Sequence, residues 1–188
     1  IAEVSHRAGV PLIVDEAHGA HLGLFDVFPG GAVSSGADIV IHSLHKTLAS
    51  LTQTAALHIC GSSPDADEIR RQMSVFQTSS PSYLLAASID GCVRRLAETG
   101  GRDLIEWRGA LDGFRNKIRG LNNLRLPVKQ GEGVFMTDPA RFFLTASHIG
   151  VTGTELHRRL RDGFGIECEM STVFGTLAMT GQGDSPKS

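Results

Sequence analysis

Two short apolar runs, each followed at once by charged or polar side chains, constrain the fold of this chain most strongly. "PLIV" (11–14) leads into Asp15, and "ADIVIHS" (37–43) leads into "LHK" (44–46). Continuous apolar runs of this length are typical of strands that are buried on both faces of a parallel sheet. We therefore predict two such strands, with "TAALHIC" (54–60) as a third, in an α/β layer.

The rest of the chain predicts helices followed by a second set of strands. Apolar residues recur at alternating spacings of three and four between Leu104 and Leu121, which predicts an amphipathic helix with one apolar face. "RFFLTAS" (141–147) predicts a strand. Thr152 and Glu155 form a T-x-x-E pattern, which predicts a capped helix start.

These patterns divide the chain into three parts. Residues 1–100 are expected to form the second part of a large α/β domain with a mainly parallel sheet. Residues 101–124 are expected to form a connecting helix, and residues 125–188 the beginning of a smaller α+β domain. The chain begins at Ile1 without an initiator Met or a signal-peptide pattern, so we expect a piece of a longer protein.

Composition excludes several classes of protein. The 188 residues carry a net charge of −2, which disfavours nucleic acid as a partner. No apolar run approaches the roughly 20 residues that a membrane-spanning helix requires. The three cysteines are widely separated and form no C-x-x-C pair, which predicts reduced thiols in a cytoplasmic protein.

The letters Asp-Glu-Ala-His at residues 15–18 also occur in the Walker-B box of nucleic-acid helicases. That interpretation requires a G-x-x-x-x-G-K-[ST] loop, and the chain contains none. Neither the Ser-Ala-Thr step nor the arginine-rich motif expected after such a box follows His21. A helicase is therefore disfavoured.

Asp15 and Lys46 together indicate a different chemistry. They lie 31 positions apart, each at the end of a predicted strand, where open α/β sheets place their ligands. Alone, Asp15 is more simply a turn or helix cap, and Lys46 a solvated amine. A strand-end carboxylate beside a strand-end lysine is, however, the combination that pyridoxal phosphate chemistry requires.

Longer stretches resemble the Orn/Lys/Arg decarboxylase family, a bacterial, pyridoxal phosphate-dependent group. "SLHKTLASLTQTA" (43–55) is similar to the family's lysine motif, and "VDEAHGAHLG" (14–23) to its pyridine-nitrogen strand. "FQTSSPSYLLAASID" (76–90) and "GIECEMS" (165–171) agree as well. Ile41 stands where the family usually has a smaller residue. The residues that meet the lysine pattern are Ser43, His45, Lys46, Ala49, Ser50, Thr52, Gln53, Thr54 and Ala55.

The resemblance covers nearly the whole chain and implies a fold and a cofactor. The fold is that of the aminotransferase-like (fold type I) transferases that depend on pyridoxal 5'-phosphate. By resemblance, Lys46 forms the Schiff base with the cofactor aldehyde, and Asp15 pairs with the protonated pyridine nitrogen. His18 is expected near the ring and its phenolic oxygen, and Ala17 against a ring face.

The resemblance also implies the remaining site residues. Ser43 and His45 are expected to donate hydrogen bonds to the cofactor phosphate. Ser80 or Ser82 is expected to reach the phosphate of a neighbouring subunit. Lys46 or His45 is expected to return a proton to the substrate Cα after carbon dioxide leaves.

The function implied is decarboxylation of a small basic amino acid (arginine, lysine or ornithine) to the corresponding amine, in polyamine biosynthesis. The protein is expected to be a homodimer or a higher homo-oligomer. An aminotransferase or an oxoamine synthase of the same fold remains open, as does a non-catalytic fragment, because the chain contains neither the phosphate-gripping Gly/Ser loop nor a ring-stacking aromatic.

Four histidines and three acidic residues lie outside these assignments or have a second interpretation as metal ligands. The pairs His18/His21 and His42/His45 have the spacing of metal ligands, but no cysteine pair completes a site, so no metal is expected. Glu16 has no assigned role. Glu167 and Glu169 alternate on a predicted strand and are interpreted as solvated carboxylates, with binding of the substrate's distal cation as the alternative. The four histidines and three acidic residues are His18, His21, His42, His45, Glu16, Glu167 and Glu169.

Overall fold

A computed structural model describes residues 1–61, 65–127 and 133–184 of the chain. The chain divides into two compact units, Ile1–Leu104 and Ile105–Ser188. Within the described residues, no helix is both long enough and apolar enough to cross a bilayer. The three cysteines are free thiols.

The first unit contains a three-stranded sheet with helices around it. Its elements are α1 (Ala2–Arg7), β1 (Ile13–Asp15), β2 (Ile39–Ser43), α2 (Leu44–Thr47), β3 (Ala55–Ile59), α3 (Ala66–Phe76) and the first part of α4 (Tyr83–Arg119). The strand order is β1-β2-β3, so β2 is central. The three strands that the apolar runs predict are therefore present.

The strand directions differ in part from the expected parallel sheet. β1 and β2 are parallel, but β3 runs antiparallel to β2. The connection over residues 44–54 contains only the single turn of α2, whereas a parallel crossover usually needs a dozen residues or more, with a full helix. A connection this short returns the chain in the opposite direction.

Burial differs between the two parallel strands. Val40 in β2 is fully buried, as the apolar run predicts, whereas Ile13 in β1 is 59% exposed. The expectation that β1 is buried on both faces is therefore wrong for the described structure. The reason is its position, because among the described residues β1 is an outer strand of the sheet and pairs with β2 alone.

A small apolar cluster fixes α2 in the first unit. Its buried members come from the segment after β1, from α2 and its C-cap, and from α4, and they are Ala20, Leu44, Leu48 and Cys92. Thr47 is also buried, while the side chain of Lys46 is exposed. The cluster therefore holds one side of α2 inward and leaves the lysine on the outer side.

The helix predicted between Leu104 and Leu121 is part of the much longer α4. The buried members of the apolar stripe are Leu104, Trp107, Leu111 and Ile118. Phe114 is 41% exposed, but its ring lies edge-on to that of Phe142 at 4.7 Å. Leu121 lies beyond the end of the helix. The stripe is thus largely confirmed as a packing face.

The second unit contains an antiparallel sheet of order β4-β6-β5 and the helix α5. Its elements after α4 are β4 (Arg141–Leu144), a 3-10 turn (Ser147–Ile149), α5 (Gly153–Phe164), β5 (Met170–Ser171) and β6 (Thr176–Met179). Thr152 caps α5, because its side chain accepts the amide hydrogen of Glu155 at 3.2 Å. The Arg158 and Arg159 guanidinium groups lower the pKa of Glu155 to about 2.

The sequence predicts that Glu167 and Glu169 alternate on a strand, and this prediction is wrong. β5 begins only at Met170, and both glutamates precede it. Glu167 instead accepts a hydrogen bond from Nε2 of His157 at 2.8 Å, because Gly165, in the left-handed conformation (φ 67°), turns the chain back at the end of α5. The observed partner of Glu167 is therefore a histidine of the same unit.

We expect Gly153→Ala to destabilise the protein by about 1–3 kcal/mol or more, because a Cβ there would lie 2.2 Å from the carbonyl oxygen of Gly175. The matched control is Gly163→Ala in the same helix. Apart from its chain neighbours and the nearby backbone of the helix, no atom of the described residues lies within 4 Å of its Cβ position, so this change should stabilise the helix by about 0.5–1 kcal/mol. Urea unfolding of both variants measures the effects, and equal stabilities would contradict the expectation.

Candidate active site

The carboxyl ends of β1 and β2 lie side by side, as the sequence predicts. Asp15 is opposite Ile41 in the parallel pair. The pairing continues past β1, because the Glu16 amide donates to the Ile41 carbonyl at 3.0 Å and the Ser43 amide donates to the Ala17 carbonyl at 3.2 Å. The DEAH segment and the start of the lysine motif are thus joined by backbone hydrogen bonds.

Lys46 lies in α2, immediately after β2. The carbonyl of Thr54 accepts two hydrogen bonds that fix this turn, from the Leu44 amide at 3.0 Å and from Nδ1 of His45 at 2.9 Å. The exposed Lys46 places its Nζ 3.0 Å from Nε2 of His18. The amine therefore reaches the DEAH segment across the strand ends.

Asp15 presents an exposed carboxylate at the same edge of the sheet. Its Oδ1 accepts the amide hydrogen of Ala17 at 3.0 Å, a local bond that fixes the side chain where the strand ends. Asp15 is directly opposite Ile41, and Ser43 is two residues further along β2. Because side chains alternate along a strand, Asp15 and Ser43 face the same side of the sheet.

The neighbouring residues, Glu16 and His42, face the other side of the sheet and form a pair there. Oε2 of Glu16 lies 2.8 Å from Nε2 of His42, and their side chains are only 15% and 10% exposed. The Ala32 amide donates to both carboxylate oxygens, at 3.0 and 3.2 Å. The sequence analysis assigned no role to Glu16. Alternation along the strand could have indicated one, because Glu16 must face the side of the sheet opposite to that of Asp15.

His58 of β3 extends this pair. Its ring lies edge-on to that of His42, with ring centroids 4.8 Å apart. Burial lowers the pKa of His58, the imidazole of His42 lowers it further, and the Glu16 carboxylate opposes both effects. Within the described part of the chain, the buried Nε2 of His58 has no hydrogen-bond partner. Sequence reasoning did not identify this residue.

A hydroxyl network connects the lysine motif to α4. Oγ1 of buried Thr54 lies 2.8 Å from both the Leu51 carbonyl oxygen and the Ser50 hydroxyl, within hydrogen-bond distance of each. Ser88 of α4 accepts the Leu51 amide hydrogen at 2.8 Å. Gln53 adopts the left-handed conformation (φ 77°) that this tight turn requires. The family pattern included Ser50, Gln53 and Thr54, but no spacing indicated Ser88.

Ser80 and Ser82 are not brought to the strand ends by any contact in the described residues. Both are exposed. The Ser80 amide donates to the hydroxyl of Thr78, and the hydroxyl of Ser82 accepts the amide hydrogen of Leu85 at 3.4 Å. Their hydrogen bonds are therefore local, and their expected role towards a neighbouring subunit stays a prediction.

The histidine pairs of the two motifs contact different groups. His18, His42 and His45 make the contacts described above. His21 is fully buried, with its ring edge-on to that of Phe28 at 4.7 Å. Across residues 1–61, 65–127 and 133–184, no cluster of three or more His, Cys, Asp or Glu side chains is placed to hold a metal ion.

The fold is that of the aminotransferase-like (fold type I) enzymes. Two solved structures that it resembles are the constitutive lysine decarboxylase of E. coli and the alanine–glyoxylate aminotransferase of Nostoc sp. The first has a TM-score of 0.74 at 19% identity, over 98% of this chain and 32% of that one. The second has a TM-score of 0.65 at 15% identity, over 94% and 49%. At these identities the likeness concerns the fold alone.

The chain belongs to the Orn/Lys/Arg decarboxylase family, since the sequence model of the family's major domain matches residues 1–126. The curated arginine decarboxylase of Bacillus subtilis (strain 168) is 35% identical over 189 residues, which is 98% of this chain. That of Halalkalibacterium halodurans is also 35% identical, over the whole chain. The chain spans only 38–39% of the length of these two relatives.

The lowered pKa of His58 predicts that stability falls in acid. An unfolded histidine titrates near pH 6.5 and His58 titrates lower when folded, so between these values the unfolded state binds more protons. The free energy of unfolding therefore decreases as the pH falls below about 6.5. Urea unfolding of the full-length protein between pH 5 and 8 should show a smaller decrease for His58→Gln, and identical pH slopes would contradict the assignment.

Proposed function

We propose that the protein containing this chain is a pyridoxal phosphate-dependent decarboxylase of a basic amino acid. The observation that carries the proposal is the position of two exposed groups, a primary amine and a carboxylate. The Lys46 amine and the Asp15 carboxylate lie at the adjacent carboxyl ends of parallel strands. Membership of the decarboxylase family supports this function over others that use the same fold.

The residues at the strand ends fit pyridoxal phosphate. Lys46 offers a primary amine to the cofactor aldehyde, and the exposed Asp15 carboxylate can pair with a protonated pyridine nitrogen. Ala17 belongs to the DEAH segment, and its amide donates to the Asp15 carboxylate while its carbonyl accepts the Ser43 amide hydrogen. We propose that Asp15, Ala17, His18, Ser43, His45 and Lys46 hold the cofactor, with Ser43 and His45 on the side of its phosphate.

When bound, pyridoxal phosphate supplies an electron sink for the pair of electrons that a departing carboxylate leaves on Cα. We propose that Lys46 or His45 returns a proton to that carbon. Nζ of Lys46 lies 3.0 Å from Nε2 of His18, which is within hydrogen-bond distance, so His18 would be able to exchange a proton with the lysine. The Nδ1–H group of His45 donates to the Thr54 carbonyl, which leaves only the Nε2 of this ring for proton transfer.

The remaining assignments rest on the family. We propose that the first unit is the second part of the cofactor-binding large domain, and that the second unit begins the smaller domain. We further propose a homodimer or higher homo-oligomer in the cytoplasm. Ser80 or Ser82 would then face the cofactor phosphate of a neighbouring subunit. Their exposure and purely local hydrogen bonds leave both hydroxyl groups accessible to such a partner.

We expect Lys46→Ala in the full-length protein to remove the visible absorption that added pyridoxal phosphate gives, because Lys46 is the only lysine in residues 1–104 and its amine lies at the strand ends. Decarboxylation should fall by about 10²–10⁴-fold, the range for loss of a positioned proton-transfer group. The matched control is Lys117→Ala, an exposed lysine of α4, which should leave both unchanged. A visible absorption band that persists in Lys46→Ala would contradict the assignment of Lys46 as the Schiff-base lysine.

Substrate choice is tested by carbon dioxide release from arginine, lysine and ornithine in parallel. We propose arginine as the preferred substrate, because curated relatives at 33–35% identity are named arginine decarboxylases. The expected result is the highest kcat/KM for arginine, with agmatine as the product. Release from none of the three, together with amino-group transfer to a keto acid, would instead favour an aminotransferase of the same fold.

A further inference from the structure

We propose that Glu16 and His42 are a positioning pair, which holds the carboxyl ends of β1 and β2 in the register that aligns Asp15 with the lysine motif. This inference deepens the proposed function and rests on it. Both side chains lie on the side of the sheet opposite to that of Asp15, where they are mostly buried. The pair acts through its sequence neighbours, since Glu16 follows Asp15 directly and His42 precedes Ser43 and α2.

The hydrogen bonds of Glu16 connect three separate segments. Its carboxylate contacts Nε2 of His42 on β2 at 2.8 Å and accepts the Ala32 amide hydrogen from the loop between β1 and β2. Its own amide donates to the Ile41 carbonyl at 3.0 Å. One residue therefore joins the end of β1 to the end of β2 through both its backbone and its side chain.

Two glycines pack closely against the Glu16 side chain. A Cβ on Gly19 would lie 2.5 Å from Cγ of Glu16, and a Cβ on Gly31 would lie 2.9 Å from its Oε2. Both distances are shorter than real Cβ contacts allow. The absence of a Cβ at these two positions therefore allows the chain to approach the Glu16 side chain closely.

Removing the carboxylate leaves groups without partners in a mostly buried place. The Ala32 amide and Nε2 of His42 would both lose their acceptor, and a buried group without a partner drives local rearrangement. Because Asp15 and Ser43 are the adjacent residues in the chain, a shift of these two backbones moves the groups of the proposed site. Small misplacements of this kind reduce catalysis strongly.

The same unit contains a matched carboxylate–histidine pair at the opposite end of β2. Oδ2 of Asp38 lies 2.8 Å from Nε2 of His6 and also accepts the Leu12 amide hydrogen at 2.7 Å. The Asp38 side chain is 13% exposed, against 15% for Glu16. Asp38 precedes β2 and lies five residues from Ser43, so it controls for loss of a buried carboxylate away from the strand ends.

The experiment compares Glu16→Ala, Glu16→Gln, His42→Ala and the double variant Glu16→Ala/His42→Ala with the control Asp38→Ala, all in the full-length protein. Hydrogen exchange, with and without pyridoxal phosphate, measures how well the Glu16 and Ser43 amides are protected by the hydrogen bonds that join the strand ends. Steady-state kinetics separate kcat from KM. Thermal unfolding establishes that each variant is folded at the assay temperature.

We expect Glu16→Ala to speed exchange of the Ser43 amide by about ten-fold or more and to lower kcat by about 10–100-fold with KM within about three-fold. Glu16→Gln, which still accepts the Ala32 hydrogen, should recover most of kcat. The double variant should be no worse than Glu16→Ala, because the two residues act as one unit. Asp38→Ala should lower the unfolding temperature and leave kcat unchanged.

Unchanged exchange of the Ser43 amide in Glu16→Ala would overturn the inference. So would an equal loss of kcat in Asp38→Ala, since that result would assign the effect to stability alone. A wild-type protein that releases no carbon dioxide from any basic amino acid would overturn the proposed function instead. In that case the exchange measurement, which needs no cofactor, still decides whether the pair holds the strand ends.

Discussion

The candidate site depends on the parallel pairing of β1 with β2. This pairing places Asp15 opposite Ile41, and two further backbone bonds carry it into the segments that follow both strands. Parallel strands end at the same edge of a sheet, so residues distant in the chain meet there without a dedicated loop to bring them together. Lys46 and His18, 28 positions apart, are in contact for this reason.

Residues that are adjacent in the sequence face opposite sides of the sheet, because side chains alternate along a strand. In the DEAH segment, Asp15 is exposed on one side, and Glu16 is mostly buried on the other with His42. A one-residue slip in either strand would exchange the two sets and replace an accessible carboxylate with a buried one. The register is therefore as important to the site as the identity of its residues.

The sequence was sufficient to predict the strand ends, the position of Asp15 and Lys46 at those ends, and the α4 stripe, because each depends on local pattern and apolar periodicity. It was not sufficient for features that depend on which segments become neighbours. The antiparallel β3 follows from the length of a connection, the exposure of Ile13 from an outer position in the sheet, and the partner of Glu167 from a turn at Gly165. Periodicity carries no information on these neighbours.

The Glu16–His42 pair illustrates why a buried carboxylate can serve orientation better than stability. Desolvation of two ionisable groups offsets most of their attraction, so a well-packed apolar pair would stabilise the fold about equally. An apolar side chain, however, could not accept the Ala32 amide hydrogen or fix the ring of His42. Hydrogen bonds are directional, whereas apolar contacts tolerate sliding. A site that requires two strand ends in one register therefore depends on the directional hydrogen bonds of the carboxylate, because apolar packing alone would not fix that register.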